Sequence, residues 1–490
     1  MAESLKQKTF KGMVWTTVAK FAVQGFNFIQ GIILARLLDP SDFGLIAMAG
    51  VFTAISVTFV DSGFSNALVR NKERTEMDYS TTFVTNVALS LFFCLLLCAC
   101  SGLIADFYHQ DKLRKIVVLC ASQLFLGSIN AVQGTRLTIN LDFKTKGIIN
   151  VISVVVTGLV TIALAFMGYG IWSLIYPLFL KIVLEFFLYR YFQHWFPKIQ
   201  FSWNSWKKSF FFGSKLLLSS LLDTIYGNLA PLIIGKKYSA TDLGYYNKAE
   251  GYAGLPSISI AQVLCGVAFP VLAEVQEDSC ALQSVYRRLI RLSAFVTFPL
   301  MMGIAALSEP LVICLITEKW SQSIIYLQIL CFAFMLYPIH ALNMNLLQVK
   351  GRSDLFLRLE IIKKALGLFI LIITVPLGLV AMCFGQVVSS LVSLVINTHY
   401  TGRLIDVGFT KQMKDILPSF FYSVSVGMLI WVLISFLTNF WVKLAIGSVV
   451  GIVFYLGIAV ITKSSELKYI LRLIKENVFM AQRIKQDLDL

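Results

Sequence analysis

Fourteen apolar stretches of about 20 residues each follow one another along the 490-residue chain. A helix needs about 20 mostly apolar residues to cross the hydrocarbon core of a bilayer. The polar connections are short, and no segment between the stretches could form a soluble catalytic domain. The sequence therefore predicts an all-α integral membrane protein with about 14 transmembrane helices. The predicted spans lie near residues 13–35, 43–62, 82–105, 116–138, 147–168, 171–192, 210–234, 244–270, 290–308, 323–348, 355–377, 379–401, 416–438 and 441–462.

Composition supports the membrane assignment and excludes other classes of protein. Hydrophobic residues make up 57% of the chain, charged residues make up 14%, and the mean hydropathy is +0.76. Soluble domains are about 45–50% apolar and about 25% charged. These values exclude a soluble enzyme, a disordered chain and a nucleic-acid-binding domain. We therefore expect the net charge of +15 on loops that face the cytoplasm and anionic lipid.

The distribution of basic residues predicts the orientation in the membrane. If the N-terminus is cytoplasmic, 30 of the 42 Lys and Arg residues fall in inner segments and 8 in outer segments. Because cytoplasmic loops carry the positive excess, an even number of spans with both termini inside is favoured. In residues 464–490, apolar side chains recur at helical spacing among bases. This pattern favours a basic amphipathic helix on the inner membrane surface over a solvated tail; its apolar residues are Leu467, Ile470, Leu471 and Ile474.

A motif recurs after 200 residues. Leu34–Gly44 follows the first span and Ile234–Gly244 follows the seventh, and in each a Ser and Asp before the glycine are expected to cap the next helix. The shift pairs Arg36 with Lys236, Asp42 with Asp242 and Gly44 with Gly244. Because it spans six helices, the halves are predicted to be parallel repeats about an axis along the membrane normal. We expect two six-helix lobes with pseudo-two-fold symmetry, at residues 1–200 and 201–405. Two extra helices and the amphipathic tail follow at 406–490.

The segments Leu34–Gly44, Gly44–Phe52 and Val60–Arg70 resemble the opening of polysaccharide-biosynthesis flippases. These are the Wzx-type lipid-linked oligosaccharide translocases of the multidrug/oligosaccharidyl-lipid/polysaccharide exporter superfamily. Gln348–Phe356 is similar to the segment before their eleventh span, and the likeness covers essentially the whole chain. The resemblance implies fourteen spans, two lobes in a V, and alternating access in the bacterial inner membrane. It also implies an undecaprenyl-pyrophosphate-linked oligosaccharide as substrate, with a polysaccharide polymerase and a chain-length regulator as candidate partners.

Polar residues inside the predicted spans indicate where such a substrate would bind. On span 1, one helical face carries Thr16, Lys20, Gln24, Asn27 and Gly31. On the equivalent span 7, a similar stripe carries Lys215, Ser219, Asp223 and Gly227. The hypothesis is that Lys20 and Lys215 hold the pyrophosphate, and that Arg36, Lys236 and Lys248 act nearer the outer mouth. The alternatives are that Lys215 snorkels to the inner surface and that Lys20 pairs with a structural acid.

Acids deep in the spans are candidates for coupling transport to a proton or sodium gradient, and no cofactor is expected. They are Asp223, Glu185 and Glu250. Since Glu185 lies four residues after Lys181, a local ion pair is the favoured interpretation there. Four amides could contact sugars, although interhelical hydrogen bonding is the commoner use of such residues; they are Gln386, Asn397, Asn343 and Asn345.

Two other functions compete with the flippase. A multidrug extruder of the same superfamily should have twelve spans and a cavity dominated by acids, unlike the basic stripes here. An integral-membrane polymerase or acyltransferase needs a catalytic acid, a histidine or a large outer loop, and the outer loops here are short. His340 is deep in a span, has no clustered partner in sequence and is expected to hydrogen-bond within the bundle. The nine cysteines show no metal-binding spacing, and the sequence contains no Gly-rich phosphate loop.

Overall fold

The structure is a computed structural model. It describes residues 5–61 and 63–472, with side chains at all of these except residues 5–11, 13–14, 61 and 215. This part of the chain forms seventeen α-helices, two 3-10 turns at Glu318–Trp320 and Val375–Leu377, and a short helix at residues 465–472. The helices are α1 Leu5–Leu37, α2 Pro40–Asp61, α3 Phe64–Arg70, α4 Glu76–Tyr108, α5 Lys112–Ile139, α6 Phe143–Phe166, α7 Trp172–Gln193, α8 Trp203–Lys237, α9 Ala240–Glu274, α10 Ser279–Ala306, α11 Ser308–Ile316, α12 Gln322–Met335, α13 Tyr337–Val349, α14 Ser353–Thr374, α15 Leu379–Ile405, α16 Phe409–Ser435 and α17 Phe440–Ile461.

Helices of the length and apolarity needed to cross a membrane dominate the fold, which confirms the predicted all-α membrane architecture. Within the described residues, thirteen helical segments meet both requirements. The remaining predicted span corresponds to α14, which has 22 residues. It carries Arg358, Glu360, Lys363 and Lys364. Glu360 forms ion pairs with both lysines, but three positive charges against one negative leave this part of the helix basic.

The break between α12 and α13 has a clear chemical cause. Pro338 has no backbone N–H and cannot bond to the carbonyl of residue 334, so the predicted span bends there. The hydroxyl of Ser257 donates to the freed carbonyl of Phe334 at 2.6 Å. A second hydroxyl, that of Ser390, donates to the neighbouring carbonyl of Ala333 at 3.0 Å. Side chains from α9 and α15 therefore donate hydrogen bonds to the backbone carbonyls at the bend.

The described residues divide into two compact units, one ending at Asn247 and the other beginning at Lys248. In the first unit, α1 packs on α6, α4 packs on α5, and α2 packs on α8, α5 and α4. An aromatic cluster joins Tyr79 and Phe83 of α4 to Trp195 and Phe196 of the connection before α8. That connection is also fixed to α4 by the indole of Trp195, which donates to Glu76 at 3.0 Å.

The second unit centres on α10, which packs against α12 and α16, while α17 packs on α16. The hydroxyl of Tyr455 on α17 donates to the carbonyl of Phe295 on α10 at 2.7 Å. Leu467 and Ile470 of the 465–472 helix pack against the same core. This part of the predicted amphipathic tail is therefore helical and docked on protein, while Ile474 lies outside the described residues.

The repeat motifs begin α2 and α9, but their helix caps differ from the prediction in one detail. At α9, the hydroxyl of Ser239 accepts from the N–H of Asp242 at 3.0 Å, as expected for the cap. In α2 the equivalent residue is Asp39, whose N–H donates to the carboxylate of Asp42 at 3.4 Å. Ser41 is already the second residue of that helix, so it is not the cap. The boundaries at residues 200 and 405 remain predictions.

Candidate functional site

Helix α1 uses one face for packing, and the predicted polar stripe lies on another. A Cβ atom at Gly147 of α6 would lie 3.0 Å from Cβ of Ala19. One at Gly158 would lie 2.2 Å from the ring of Phe26. The glycines thus let α6 approach α1 closely. With 3.6 residues per turn, the stripe is about 110° around the helix from this packed face.

The stripe residues are accessible. Lys20 and Asn27 are exposed, and Gln24 is half-buried. Lys20 lies five residues inside the span that begins at Trp15, which corresponds to about 8 Å along the helix. A charged side chain at that depth is costly unless water or a partner of opposite charge compensates it.

On α8, Ser219, Asp223 and Gly227 are also exposed along one face. The backbone of Lys215 belongs to the same helix, while its side chain lies outside the described set. The position of this face is fixed by α2, which runs antiparallel to α8 and touches it at several levels.

The contacts between α2 and α8 can be followed from one end to the other. At the predicted inner end, a Cβ atom on Gly63 would lie 2.3 Å from Cα of Gly213. Further along, the hydroxyls of Thr58 and Thr224 form a hydrogen bond of 2.8 Å. Beyond this bond an open groove of about 620 Å³ lies beside the two helices. The polar side chains that line it are Thr53, Thr58, Asp223, Thr224 and Asn228.

The two repeat motifs contact each other at the predicted outer end of the groove. A Cβ atom on Gly44 would lie 1.7 Å from the carbonyl oxygen of Ala240. Its counterpart on Gly244 would lie 2.0 Å from the carbonyl oxygen of Pro40. A backbone oxygen cannot move aside as a flexible side chain can, so this approach requires glycine at both positions. The contact is reciprocal and therefore has the two-fold form that the repeat predicts.

Arg36 and Lys236 lie in the last turns of α1 and α8, where a positive charge is favourable to the helix dipole. The ammonium of Lys236 donates to the carbonyl of Phe107 at 2.6 Å and lies 3.3 Å from Nε2 of His109. It therefore satisfies a carbonyl at the C-terminal end of α4. Sequence reasoning missed this bond because its partner is 129 residues away.

Lys181 and Glu185 form an ion pair of 3.8 Å on α7. Their side chains retain 35% and 22% of their exposure. The geometry agrees with the local pairing favoured from the sequence. The role of Glu185 in coupling remains a prediction.

Lys248 and Glu250 belong to the second unit and are both half-buried. The ammonium of Lys248 lies 5.6 Å from the ring centre of Trp320 and 6.0 Å from that of Tyr252. Aromatic faces attract a cation at such distances, so this lysine has a defined aromatic environment. Trp320 is completely buried, which fixes one wall of it.

Three of the candidate sugar-binding amides are used between helices. Asn343 accepts from Tyr286 at 2.9 Å and from Gln412 at 3.1 Å. The amide of Asn345 donates weakly, at 3.4 Å, to the carbonyl of Cys265. The amide of Asn397 lies 3.3 Å from Nδ1 of His340.

His340 is itself held within the helix bundle, as expected from the sequence. Its Nε2 lies 3.0 Å from the hydroxyl of Ser390, and its Nδ1 faces the amide of Asn397. Both ring nitrogens therefore have hydrogen-bond partners inside the bundle. Among the residues that the structure describes, no group of three or more His, Cys, Asp or Glu could hold a metal ion.

One ion cluster was not anticipated. Asp415 at the start of α16 is buried and binds Arg287 through two bonds of 2.7 and 2.8 Å. Arg291 adds a bond of 3.1 Å to the same carboxylate and reaches Glu466 at 3.2 Å. The two arginines are four residues apart on α10. This spacing places them on one helical face and was the only feature of the sequence that indicated a shared partner. The cluster ties α10, α16 and the tail together.

Comparison with known proteins now assigns the family. A model of the family described as "Polysaccharide biosynthesis protein" matches residues 33–325. The chain belongs to this family. The matched region starts just before the first repeat motif and includes the second, so it contains every residue of the α2–α8 groove. Lys20, Gln24 and Asn27 precede it.

Two named relatives are similar to the chain over most of its length. The chain is 26% identical over 401 residues to the lipopolysaccharide biosynthesis protein WzxC of Escherichia coli K12, covering 81% of this chain and 80% of WzxC. It is 25% identical over 433 residues to the teichuronic acid biosynthesis protein TuaB of Bacillus subtilis 168, covering 87% and 89%.

A solved structure confirms the fold. The lipid II flippase MurJ in an inward closed conformation superposes with a TM-score of 0.75, covering 92% of this chain and 98% of MurJ. The identity is 15%, so this likeness concerns the fold. The protein is thus a multi-pass membrane protein with the architecture of a transporter.

Proposed function

We propose that the protein is an alternating-access flippase. It moves a polyprenyl-pyrophosphate-linked oligosaccharide repeat unit from the inner to the outer leaflet for surface polysaccharide synthesis. Membership of the polysaccharide biosynthesis family carries this proposal. The shared fold with a lipid II flippase and the polar stripe inside α1 support it.

The substrate has two chemically different ends, and the polar stripe suits one of them. A pyrophosphate is anionic and costly to dehydrate, so cations inside the membrane are its natural partners. Lys20 and Lys215 are proposed to hold it, with Gln24 and Asn27 as hydrogen-bond donors on the same face of α1. Arg36, Lys236 and Lys248 are proposed to receive it nearer the outer mouth, although Lys236 would have to release the carbonyl of Phe107.

Energy coupling is proposed to use a proton or sodium gradient and a carboxylate in the membrane. Asp223 is the best placed of the three candidate acids, because it lines the groove beside α2. Glu250 is the second candidate. Glu185 is the weakest, since Lys181 already compensates its charge.

The location follows from the same proposal. We place the protein in the bacterial inner membrane with both termini in the cytoplasm, which puts the excess of basic loops on the cytoplasmic side. Neighbours in the same process would be a polysaccharide polymerase and a chain-length regulator.

A strain that lacks this chain tests the function. We expect polyprenyl-pyrophosphate-linked repeat units to accumulate, and to resist a membrane-impermeant glycosidase added to the outer face of oriented vesicles. Accumulation on the outer leaflet would move the block downstream and contradict the flippase. Lack of accumulation would also contradict it and would favour drug efflux.

Variants of Lys20 test the proposed site. Lys20→Ala should abolish transport with normal membrane levels of protein, and Lys20→Arg should restore part of it. Lys112→Ala, at an exposed position that begins α5, is the matched control for loss of a lysine. Normal transport by Lys20→Ala would overturn the assignment.

A further inference from the structure

A polar pocket of the first unit lies between α3, the start of α4 and the start of α8, away from the α2–α8 groove. Its volume is about 550 Å³, within the range of about 300–1,000 Å³ that is usual for small-molecule sites. Of the twelve described residues that line it, nine are polar or charged. Helix α8 contributes Ser205, Lys208, Ser209 and Phe212, whose spacing places them on one helical face.

Hydrogen bonds fix the wall that the connection from α3 to α4 provides. The side-chain oxygen of Asn71 accepts from the N–H of Glu73 at 3.1 Å. Thr75 and Asp78 cap the start of α4 reciprocally. The N–H of Thr75 donates to the carboxylate of Asp78 at 2.8 Å, and the N–H of Asp78 donates to the hydroxyl of Thr75 at 3.3 Å. The charged side chains of this wall therefore stand on an ordered backbone.

A cation–π contact joins this wall to α8. The guanidinium of Arg70, in the last turn of α3, lies 4.4 Å from the ring centre of Phe212. Two further cations, those of Lys72 and Lys208, line the pocket from its two sides. Within the described part of the chain, these three cations form no hydrogen bond or ion pair with protein groups. Their N–H groups are therefore available to a ligand.

The balance of charge and of hydrogen-bond donors selects the chemistry of that ligand. Three basic side chains line the pocket against two carboxylates, those of Glu73 and Asp78. The Asp78 carboxylate is already engaged, since it accepts from the N–H and the hydroxyl of Thr75. The hydroxyls of Ser205 and Ser209 can add donors. An excess of donors and positive charge suits a phosphate, which is anionic and only accepts.

The surroundings of the pocket are typical of the level of lipid headgroups. Trp203, Trp206 and Phe210 form a stack on α8 with ring centres 4.8 and 4.7 Å apart. Trp203 retains 56% of its exposure, and exposed tryptophans are enriched where a membrane meets water. The apolar span of α8 begins at Leu216, eight residues after Lys208, which corresponds to about 12 Å along the helix. A lipid headgroup is thus favoured over free phosphate.

We propose that this α3–α8 pocket binds the phosphate of an anionic lipid headgroup through Arg70, Lys72 and Lys208, with Ser205 and Ser209 as further donors. The phosphate chemistry has two sources in such a membrane, an anionic phospholipid and a polyprenyl pyrophosphate. The pocket is separate from the polar stripe of α1, and its proposed role does not depend on the flippase function. It lies on the side that the basic loops predict to be cytoplasmic.

The test measures lipid binding to the purified full-length chain in detergent by titration in native mass spectrometry. The probes are phosphatidylglycerol and undecaprenyl pyrophosphate, with phosphatidylcholine as the reference lipid. The variant is Lys72→Gln combined with Lys208→Gln, which leaves Arg70 on Phe212. We expect its affinity for at least one anionic lipid to fall by about 10–30-fold, as for two basic groups at a membrane surface. Its affinity for phosphatidylcholine should stay unchanged.

The two probes identify the source of the phosphate. Loss confined to phosphatidylglycerol would make a membrane phospholipid the ligand. Loss confined to undecaprenyl pyrophosphate would make the polyprenyl lipid the ligand, and the pocket would then bind it outside the α1 stripe. Loss for both would show that the phosphate itself is recognised. Unchanged affinity for both would overturn the proposal.

Matched variants separate a specific site from general attraction between charges. Lys198→Gln combined with Lys207→Gln removes two exposed lysines near the same end of α8 but outside the pocket, so its affinities should stay within about twofold of wild type. Equal loss in both double variants would overturn the site. Glu73→Gln should tighten binding because it removes a negative charge, and weaker binding would mean that the pocket takes a cation.

The outcome for the wild-type chain is decisive by itself. If it prefers neither anionic lipid to phosphatidylcholine, the proposed phosphate site fails. The flippase proposal is judged separately, by the leaflet on which repeat units accumulate in the strain that lacks this chain.

Discussion

The carbonyl oxygen of Ala240 occupies the space in which a side chain at Gly44 would begin, 1.7 Å from the position of its Cβ atom. The same relation holds in reverse between Gly244 and the carbonyl oxygen of Pro40. Glycine is therefore needed for contact between the motifs, which gives a physical reason for a repeat that is visible in the sequence. Separation of this contact would open the groove at its proposed outer end.

We expect Gly44→Ala to prevent this contact and to reduce transport at least tenfold. The added methyl group meets backbone, and backbone can yield only by moving the start of α2 away from α9. Ser41→Cys in a cysteine-free background would report the movement through faster labelling by a membrane-impermeant maleimide. Gly102→Ala is the control, because nothing lies within 4 Å of that Cβ position. Normal transport and unchanged labelling in Gly44→Ala would show that the contact is dispensable.

Glu185→Gln should leave transport within about twofold of the wild-type rate. The carboxylate is paired with Lys181 at 3.8 Å, and such partly exposed pairs contribute about 0–1 kcal/mol to stability. A double-mutant cycle with Lys181→Met measures that coupling directly. The dependence of transport on the ion gradient is then measured in proteoliposomes for Glu185→Gln and, as the comparison, for Asp223→Asn. Loss of gradient dependence in Glu185→Gln alone would reassign the coupling role to α7.

Ser257→Ala should destabilise the second unit by about 1 kcal/mol, because the carbonyl freed by Pro338 loses a side-chain donor inside the bundle and keeps only the N–H of Leu336. The readout is the unfolding midpoint of the purified protein in detergent. Ser425→Ala is a suitable control, since this exposed hydroxyl bonds only within its own helix, to Phe421. An equal effect of both substitutions would mean that the Ser257 bond contributes nothing specific.

Most of the architecture was predictable because membrane solvation imposes a simple rule on length and apolarity. The span at α14 follows the rule least well, since Lys363 and Lys364 interrupt its apolar pattern and share one carboxylate, that of Glu360. The polar stripe of α1 was predictable from spacing alone, because one helix contains all of it.

The groove could not be predicted in the same way. Thr53 and Thr58 look like ordinary hydroxyls of an apolar span, and only the antiparallel contact with α8 brings them beside Asp223. Likewise, nothing local links Lys236 to the end of α4. Contacts of this kind depend on which helices are neighbours in the fold. The pattern of residues along one sequence does not reveal which helices those are.

Asp415 and Asp354 provide a matched pair for the last prediction. Each binds an arginine through two hydrogen bonds, Arg287 at 2.7 and 2.8 Å and Arg352 at 2.9 and 2.8 Å. Asp415 retains 4% of its side-chain exposure and Asp354 retains 62%. Asp415→Asn should therefore cost about 1–3 kcal/mol of stability, because it leaves the partly buried Arg287 without its carboxylate and Arg291 with Glu466 alone. Asp354→Asn should cost less than about 1 kcal/mol, since water replaces the lost partner. Unfolding midpoints in detergent measure both changes, and equal values would mean that the cluster joining α10 and α16 contributes no more than a surface pair.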